Sequence, residues 1–402
     1  MRMRIAYCTN VRLPSERAHG HQIAQVCDAL STLGHNVHIF APYRCNIIVE
    51  DYWTYYDSRR EVELHHLGSF DPIASLWTPG VIGLFALNAL LRRALPSALE
   101  THGPFDLLYT RSPALLPTML ATRIPVIFEL HQLPRRSRAA FVSACNRCRG
   151  VACLTSAMRD ALTRWGVESS RLMVEGDAVD LKRFDGLPKV EDARSHLCSM
   201  VNLQFTIFNQ FTISKNQIIV GYVGRLKTLG MEKGVSIMLQ ALAKLRSTKK
   251  FFGLIVGGPS EDCRDYKREA EQLGLRSDDI HFTGEIPARE VPIALAACDI
   301  LAMPFPDFPH YRLHMSPLKM FEYMAADKPI ITSDLPTVRD VLDERSAIFC
   351  EPGDHESFVD ALRWIAEHPD DARARAAHAR ELVKKHTWEE RMKRILHYTR
   401  IP

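Results

Sequence analysis

Two stretches in the second half of this sequence combine the residue types that can hold a diphosphate. The first follows the apolar run IIVGYVG and reads Gly224, Arg225, Leu226, Lys227, Thr228, Leu229, Gly230, Met231, Glu232, Lys233, Gly234. A glycine at a strand end, an Arg and a Lys eight residues apart, and Gly234 ahead of a helix would supply two charged donors and free backbone amides to one anion. The loop is neither G-x-x-x-x-G-K-[ST] nor G-x-G-x-x-G, which counts against ordinary nucleoside triphosphate and dinucleotide binding. The second stretch is PDFPHYRLHMSPLKMFEYMAADKP. Here Ser316 is predicted to cap a helix with Pro317 in its first position, so that the amides of Leu318 and Lys319 point toward an anion. Glu322 lies one turn after Leu318, where its carboxylate can accept hydrogen bonds from vicinal hydroxyls. Its neighbours Met320, Phe321 and Tyr323 predict partial burial.

The first half offers a smaller set. Phe128, Glu129, Leu130 and His131 end a strand, which places Glu129 or His131 at the edge of a ligand cleft. Gly20, in PSERAHGHQIAQ, precedes the first long helix and suits close approach of backbone to a ligand. Residues 1–180 contain nineteen Arg and no Lys against sixteen Asp plus Glu, so this half is made slightly basic by guanidinium alone. Arginine is the better bidentate partner for phosphate.

These residues need rigid elements to hold them. Short β-branched runs alternate with amphipathic helical patterns from end to end, which predicts an α/β chain with parallel sheets covered by helices. Strands are predicted at Arg4–Thr9, Asn36–Ala41, Glu63–Leu67, Leu107–Thr110, Pro125–Glu129, Gly150–Leu154 and Arg171–Val174, with a helix at His21–Leu33 closed by Gly34. A second series begins at residue 218 and continues through FFGLIVGG, IHFTGE, CDILAMPF, KPIITS and AIFCEPG. Two doubly wound, Rossmann-like domains facing across a cleft follow, spanning 1–180 and 217–385. Residues 181–216 form a linker and edge segment, and a helix in 386–402 returns toward the first domain. Ligands of such sheets sit outside the carboxyl ends of the strands.

Composition sets the outer limits. With 402 residues, 46% hydrophobic and 24% charged, the chain is an ordinary soluble protein rather than a disordered or fibrous one. A net charge of +4 does not require nucleic acid. Most of the ten cysteines lie in apolar runs such as AYCTN and AIFCE, where Cys acts as a small buried hydrophobe and stays reduced. Cys145 and Cys148 form a C-x-x-C, but no second pair or His follows at zinc-finger spacing, and no metal is expected. The start MRMRIAYCTN enters a strand at once, leaving no room for a signal peptide, so a cytoplasmic setting is expected. Ile73–Leu91 carries no charge, yet Thr78 and Pro79 as N-cap and first position leave about a dozen apolar residues in the helix, short of a bilayer span.

The order VGYVGRL, EKG eight residues on, VGGP, FTGEIP, SPLKMFEYMAADKPII and FCEPGD resembles the retaining glycosyltransferases of the GT-B fold, family 4 type. The resemblance covers nearly the whole chain and is strongest over 218–355. It implies that Arg225 and Lys233 match the family's basic pair on the donor diphosphate, and Glu322 the second glutamate of E-x7-E, which holds the ribose. It implies that Gly20 matches the loop glycine against the donor phosphates, and His131 the histidine near the transferred sugar. Glu285 and Ile286 correspond to the region meeting the nucleobase. His314 stands where the first glutamate of E-x7-E is usual, which puts the donor sugar's identity in question.

The expected activity is transfer of a sugar from a nucleoside-diphosphate-sugar to a hydroxyl of a glycan, glycolipid or lipid-linked acceptor. No cofactor is expected, since the nucleotide sugar is a substrate. Arg225, Lys233 and the amides at 318 and 319 would stabilise the departing diphosphate electrostatically, in place of a divalent cation. The second half carries no D-x-D. Retention, with His131 orienting a hydroxyl, is expected because no carboxylate pair fits a double displacement. Arg92 and Arg93 after an apolar helix, with Arg135, Arg136, Arg138, Arg147 and Arg149 on a predicted helix, suit an anionic membrane surface or a lipid diphosphate acceptor. A buried helix with a solvated arginine rim explains the same residues. Rival readings are a non-catalytic sugar-nucleotide-binding partner subunit and a GT-B sugar-nucleotide epimerase.

Overall fold

The computed structural model describes residues 2–59, 61–68, 70–75, 80–204 and 217–399. The chain divides into two compact units, one formed by residues up to 178 together with those from 387 onward, the other by 179–386.

In the first unit seven strands form one parallel sheet: β1 (Arg4–Cys8), β2 (Asn36–Pro42), β3 (Glu63–Leu67), β4 (Leu107–Thr110), β5 (Val126–Leu130), β6 (Gly150–Cys153) and β7 (Leu172–Val174). Their order is β3-β2-β1-β4-β5-β6-β7. In the second unit the six-stranded sheet is β8 (Ile218–Val223), β11 (Phe251–Val256), β12 (Ile280–Gly284), β13 (Ile300–Met303), β14 (Ile330–Ser333) and β15 (Ile348–Cys350), in the order β12-β11-β8-β13-β14-β15. A small antiparallel hairpin, β9 (Lys227–Thr228) and β10 (Met231–Glu232), lies in the loop after β8. Both sheets reverse winding direction beside their first strand. That switch point falls between β1 and β4 in one unit and between β8 and β13 in the other, where an open α/β sheet leaves its ligand crevice.

The central strands, β5, β8 and β11 among them, are buried on both faces, which is why they read as continuous apolar runs rather than alternating ones; the edge strand β3 is half-exposed. The first helix spans Ala18–Thr32, three residues ahead of its predicted start, and Gly34 follows it at φ +91°. Gly20 therefore sits inside the first turn rather than before it. A methyl there would lie 2.2 Å from the Tyr56 hydroxyl, which accepts from the Ser15 amide at 2.6 Å, so the smallness of Gly20 is used by packing within its own unit.

The segment 181–216 differs from its expected linker role. A 3-10 turn at Leu181–Phe184 and a helix at Val190–Gln204 belong to the second unit, whose core takes in Phe184, Ala193 and Leu197. Arg194 pairs with Asp299 at 2.6 Å. Ala193 and Leu197 are spaced four apart, the interval that places two residues on one helix face. Most of the polar-aromatic run that suggested an edge element, residues 205–216, lies outside the described residues.

The closing helix, Trp388–Tyr398, is capped by Thr387 and belongs to the first unit. Trp388, Arg391, Met392, Ile395 and Leu396 are its buried face. Arg391 is fully buried and reaches Glu129 at 3.2 Å, the Gly176 carbonyl at 2.5 Å and the Glu175 carbonyl at 3.2 Å. Arg394 forks onto the Glu175 carboxylate at 2.8 and 2.9 Å.

Removing one partner of a buried pair leaves the other as an uncompensated charge. Arg391→Met should therefore destabilise the first unit by about 3–5 kcal/mol, read as a lower urea midpoint. An unchanged midpoint would show that the pair contributes nothing to stability.

Candidate functional site

In the second unit the cluster is built around the end of β8. Gly224 takes φ +137° and donates its amide to the Val256 carbonyl at 2.8 Å. Gly234, before the helix Val235–Leu245, has φ +93°, and a methyl on it would stand 1.9 Å from the Pro304 carbonyl. Both sites require the absence of a side chain. They bring the ends of β8 and β13 together at the switch point.

Arg225 is exposed and Lys233 half-buried. Burial, then the nearby Arg225 charge, lowers the Lys233 ammonium to about 8. The Lys233 charge in turn lowers His310, after burial, and adds to the burial of Lys319. These groups thus feel one another as a group of like charges.

The helix expected from Ser316 begins one residue later, over Leu318–Ala325, with Pro317 in the N-cap place and no side-chain cap. A residue before proline is disfavoured from helical geometry, and Pro317 itself sits in extended backbone at ψ 124°. Leu318 and Lys319 remain in the first turn, where amides have no acceptor within the helix. The Lys319 side chain turns inward, with Nζ 3.5 Å over the Tyr222 ring.

Glu322 is half-buried and 3.8 Å from the Arg183 guanidinium. Burial raises its carboxyl, and the Arg183 and Lys319 charges partly offset this. His314 closes the short helix Pro309–Leu313, its ring 5.6 Å from His310 and its Nδ1 buried without a hydrogen-bond partner. Burial, then the His310 charge, pushes it down to about 4, so it is neutral near pH 7 and can donate or accept. Glu285 and Ile286 follow β12. Glu285 is exposed and lies over Gly258, where a methyl would stand 2.5 Å from its Cγ, while Ile286 packs against the core.

In the first unit, β5 ends in a buried polar network. Glu129 has no exposed surface; it accepts from Gln22 and the Tyr109 hydroxyl at 2.5 Å each and meets His131 Nε2 at 2.7 Å. Burial alone would raise its carboxyl, but the Arg391 charge and the bonds from His131 and Tyr109 hold it well below the usual carboxylate range. Glu129 is thus the internal anchor and His131 the residue it orients. An ionised Glu129 accepts the Nε2 proton and leaves the lone pair on Nδ1. Burial and the Arg111 charge lower His131 to about 4 despite the carboxylate. Arg111 is itself bonded to Gln22 at 2.7 Å, and it also helps to lower His19, which burial brings to about 4.

Sequence reasoning missed Arg183, His310, Arg111 and Arg391. His310 stands four residues before His314, and Arg391 interrupts the apolar stripe 388, 392, 395; both signals were readable as spacing. Arg183 and Arg111 carried none, because only chain folding brings them to their partners.

The arginines proposed for an acceptor do not all stand on one helix. That helix is Arg138–Arg147, so Arg135 and Arg136 precede it and Arg149 follows it. Arg138 covers the Trp165 ring at 4.2 Å, while Arg147 and Arg149 bond the carbonyls of Leu120 and Thr399. Cys145 and Cys148 are buried free thiols, and burial pushes Cys148 up to about 12, so neither is a ready nucleophile or ligand.

The apolar helix spans Gly80–His102, well beyond the expected dozen residues, and Thr78 and Pro79 lie outside the described residues. Leu87, Leu91, Leu95 and Leu99 form its buried stripe, while Val81 (81%), Ile82 (55%) and Phe85 (74%) are exposed. Arg92 bonds the Ala114 carbonyl. Among the described residues this is the one helix long and apolar enough to cross a membrane.

One group of potential metal ligands lies elsewhere, at the start of β2 and β3: His38 Nδ1 is 3.0 Å from His65 Nε2 and 3.4 Å from Glu63. Arg4 points a guanidinium nitrogen at His38 Nε2 from 3.3 Å. A guanidinium can only donate, which leaves the proton on Nδ1 of a neutral ring and fits a hydrogen bond to His65 better than a metal ligand.

Residues 20–183 match the profile described as Glycosyltransferase Family 4, and residues 217–368 that of Glycosyl transferases group 1. The D-inositol 3-phosphate glycosyltransferase of Corynebacterium urealyticum is 27% identical over 44% of this chain and 42% of its own. The chain thus spans less than half of that relative's length. Sucrose-phosphate synthase from Thermosynechococcus elongatus superposes with a TM-score of 0.74 at 18% identity, over 99% of this chain and 98% of its own. HepE from Anabaena, in complex with UDP and glucose, does so at 0.66 and 18%, over 98% and 99%. Both likenesses fix the fold as GT-B.

His131 and His19 bind protons more weakly folded than unfolded, where histidine titrates near 6.5. The unfolded chain therefore takes up more protons between pH 6.5 and about 4, and these two groups make stability fall as pH falls through that window. His131→Gln should flatten the dependence of the unfolding midpoint on pH there. An equally steep profile would mean that His131 is not held neutral.

Proposed function

From the premise that this chain is a GT-B protein whose two units match glycosyltransferase families, we propose that it transfers a sugar from a nucleoside-diphosphate-sugar to a hydroxyl acceptor. The observation that carries this reading is the group of cations at the end of β8, where Arg225, Lys233 and Lys319 gather at one switch point, close enough that the Arg225 charge adds to the burial that lowers Lys233 and the Lys233 charge to the burial that lowers Lys319. Such a group is stabilised by a multivalent anion and disfavoured without one. Glu322, within electrostatic reach of Lys319, is assigned to accept hydrogen bonds from the ribose hydroxyls, and HepE, which shares the fold, binds UDP and glucose.

Glycosyl transfer breaks the anomeric carbon–oxygen bond to the diphosphate and forms one to the acceptor oxygen. The departing diphosphate gains negative charge, which fixed cations and first-turn amides stabilise more in the transition state than in the bound donor. We assign this task to Arg225, Lys233 and the amides of Leu318 and Lys319, so that no divalent cation is needed. Retention of configuration, with attack on the face the diphosphate leaves, is part of the same proposal. His131, fixed in one tautomer by Glu129, is assigned to a hydroxyl of the acceptor or of the transferred sugar. His314 is assigned to the sugar, its unpartnered Nδ1 being the atom that would meet a hydroxyl.

The acceptor side is proposed to meet an anionic membrane surface. Val81, Ile82 and Phe85 present exposed apolar area on the helix that carries Arg92 and Arg93, the combination that seats a helix in the headgroup region. Protein of this kind would work in the cytoplasm at the inner membrane face. Wild type should float with anionic liposomes more than with neutral ones, and Val81→Asp combined with Phe85→Asp should abolish flotation. Protein that ignores both vesicle types would overturn the membrane reading.

A thermal-shift panel of UDP, GDP, ADP and dTDP without added metal tests the donor site. A ligand at a hundred times its Kd stabilises the folded state by about 2.7 kcal/mol. One diphosphate should raise the melting temperature, and Glu322→Ala should lose that response. Silence toward all four would count against a nucleotide donor, and a retained response in the variant would remove Glu322 from the ribose.

A further inference from the structure

We propose that the Lys319 side chain is a third cationic ligand of the diphosphate, reaching it from beneath the Gly224 turn. This rests on the donor-site reading above and goes beyond it, because that reading uses only the backbone amide of this residue.

Lys319 is 6% exposed, and its Nζ has no hydrogen-bond partner. The ammonium lies 3.5 Å from the centre of the Tyr222 ring and 5.5 Å from that of Phe305. A methyl on Gly224 would stand 3.5 Å from its Cε and 3.7 Å from its Nζ, so the amine occupies the side of the turn that the glycine leaves open. The opposite side is closed, since a methyl on Gly257 would stand 2.0 Å from the Gly224 carbonyl.

A lysine amine carries three donors and no acceptor in its charged form, and burying it unpaired is costly. The face of an aromatic ring returns only part of that cost. For packing alone, a methionine would fill the same volume with no polar group. Glu322, one turn on, is within electrostatic reach but makes its ion contact with Arg183. Burial and the Lys233 charge hold the Lys319 amine well below the ordinary lysine range, and a bound anion would raise it again. An anion with several oxygens at the end of β8 would pair with the amine, and a diphosphate held by Arg225 and Lys233 is such an anion.

Calorimetric titration of the full chain with inorganic pyrophosphate and with the four nucleoside diphosphates, on wild type, Lys319→Met and Lys319→Gln, tests this. The melting temperature of the free Met variant should equal or exceed that of wild type, because an unpaired buried amine is removed. Its affinity for pyrophosphate and for the preferred nucleotide should fall at least tenfold, and the Gln variant should follow. Unchanged affinity in either variant would overturn the inference while leaving the donor site standing. A fall of more than about 4 °C in both free variants would make the amine a structural fixture and overturn it as well. Wild type that binds neither pyrophosphate nor any nucleotide would defeat the donor-site reading, and the inference with it.

Discussion

Like charges gathered at the end of a central strand repel, and the second unit holds three of them at the end of β8. Arg225 and Lys233 come from the loop after β8 and Lys319 from a helix nearly ninety positions on, so no short sequence motif could bring all three together. They meet because Gly224 and Gly257 let the loops after β8 and β11 pass at backbone contact, and Gly234 lets the next helix start against Pro304. A side chain at Gly257 or Gly234 would meet a backbone carbonyl at about 2 Å and push these segments apart, and one at Gly224 would strain a backbone held at φ +137°. The unit thus uses its closest backbone contacts to bring its cations together.

The first unit solves the opposite problem. Its buried carboxylate, Glu129, is fully compensated by Arg391, Gln22, Tyr109 and His131, so that little net charge remains to attract a ligand. What remains is direction: His131 is turned and kept in one tautomer by a group that is itself held in place on several sides. The network thus supplies His131 with orientation rather than field. Because Arg391 comes from the last helix, the end of the chain completes the setting of a residue some 260 positions earlier in sequence.

The same two kinds of order separate what could be read early from what could not. Parallel sheets buried on both faces leave apolar runs with sharp polar ends, and the central strands of both large sheets follow such runs closely, while the edge strand β3, ELHHL, does not. The loop after β8 and the helix bearing Glu322 were legible because glycine, proline and charge mark strand ends and helix starts locally. Helix starts slipped by one to three residues at Ala18 and Leu318, where end geometry depends on neighbours such as Tyr56. The segment after 180 was misread because an unusual polar-aromatic run outweighed the plain four-residue spacing of Ala193 and Leu197.

By itself the sequence determined the two-sheet α/β class, the order of the strands along the chain, and the candidate status of Arg225, Lys233, Glu322 and His131. Each of these is a local property, set by periodicity or by residue types within a dozen positions. The tertiary structure decided that Glu129 is an anchor rather than an exposed acid, that Arg183 meets Glu322, that Arg391 completes the first unit, and that Lys319 turns inward beneath Gly224. Burial and charge pairing depend on which chain segments are stacked together in space, and that is fixed only when the sheets close and their loops are packed against one another.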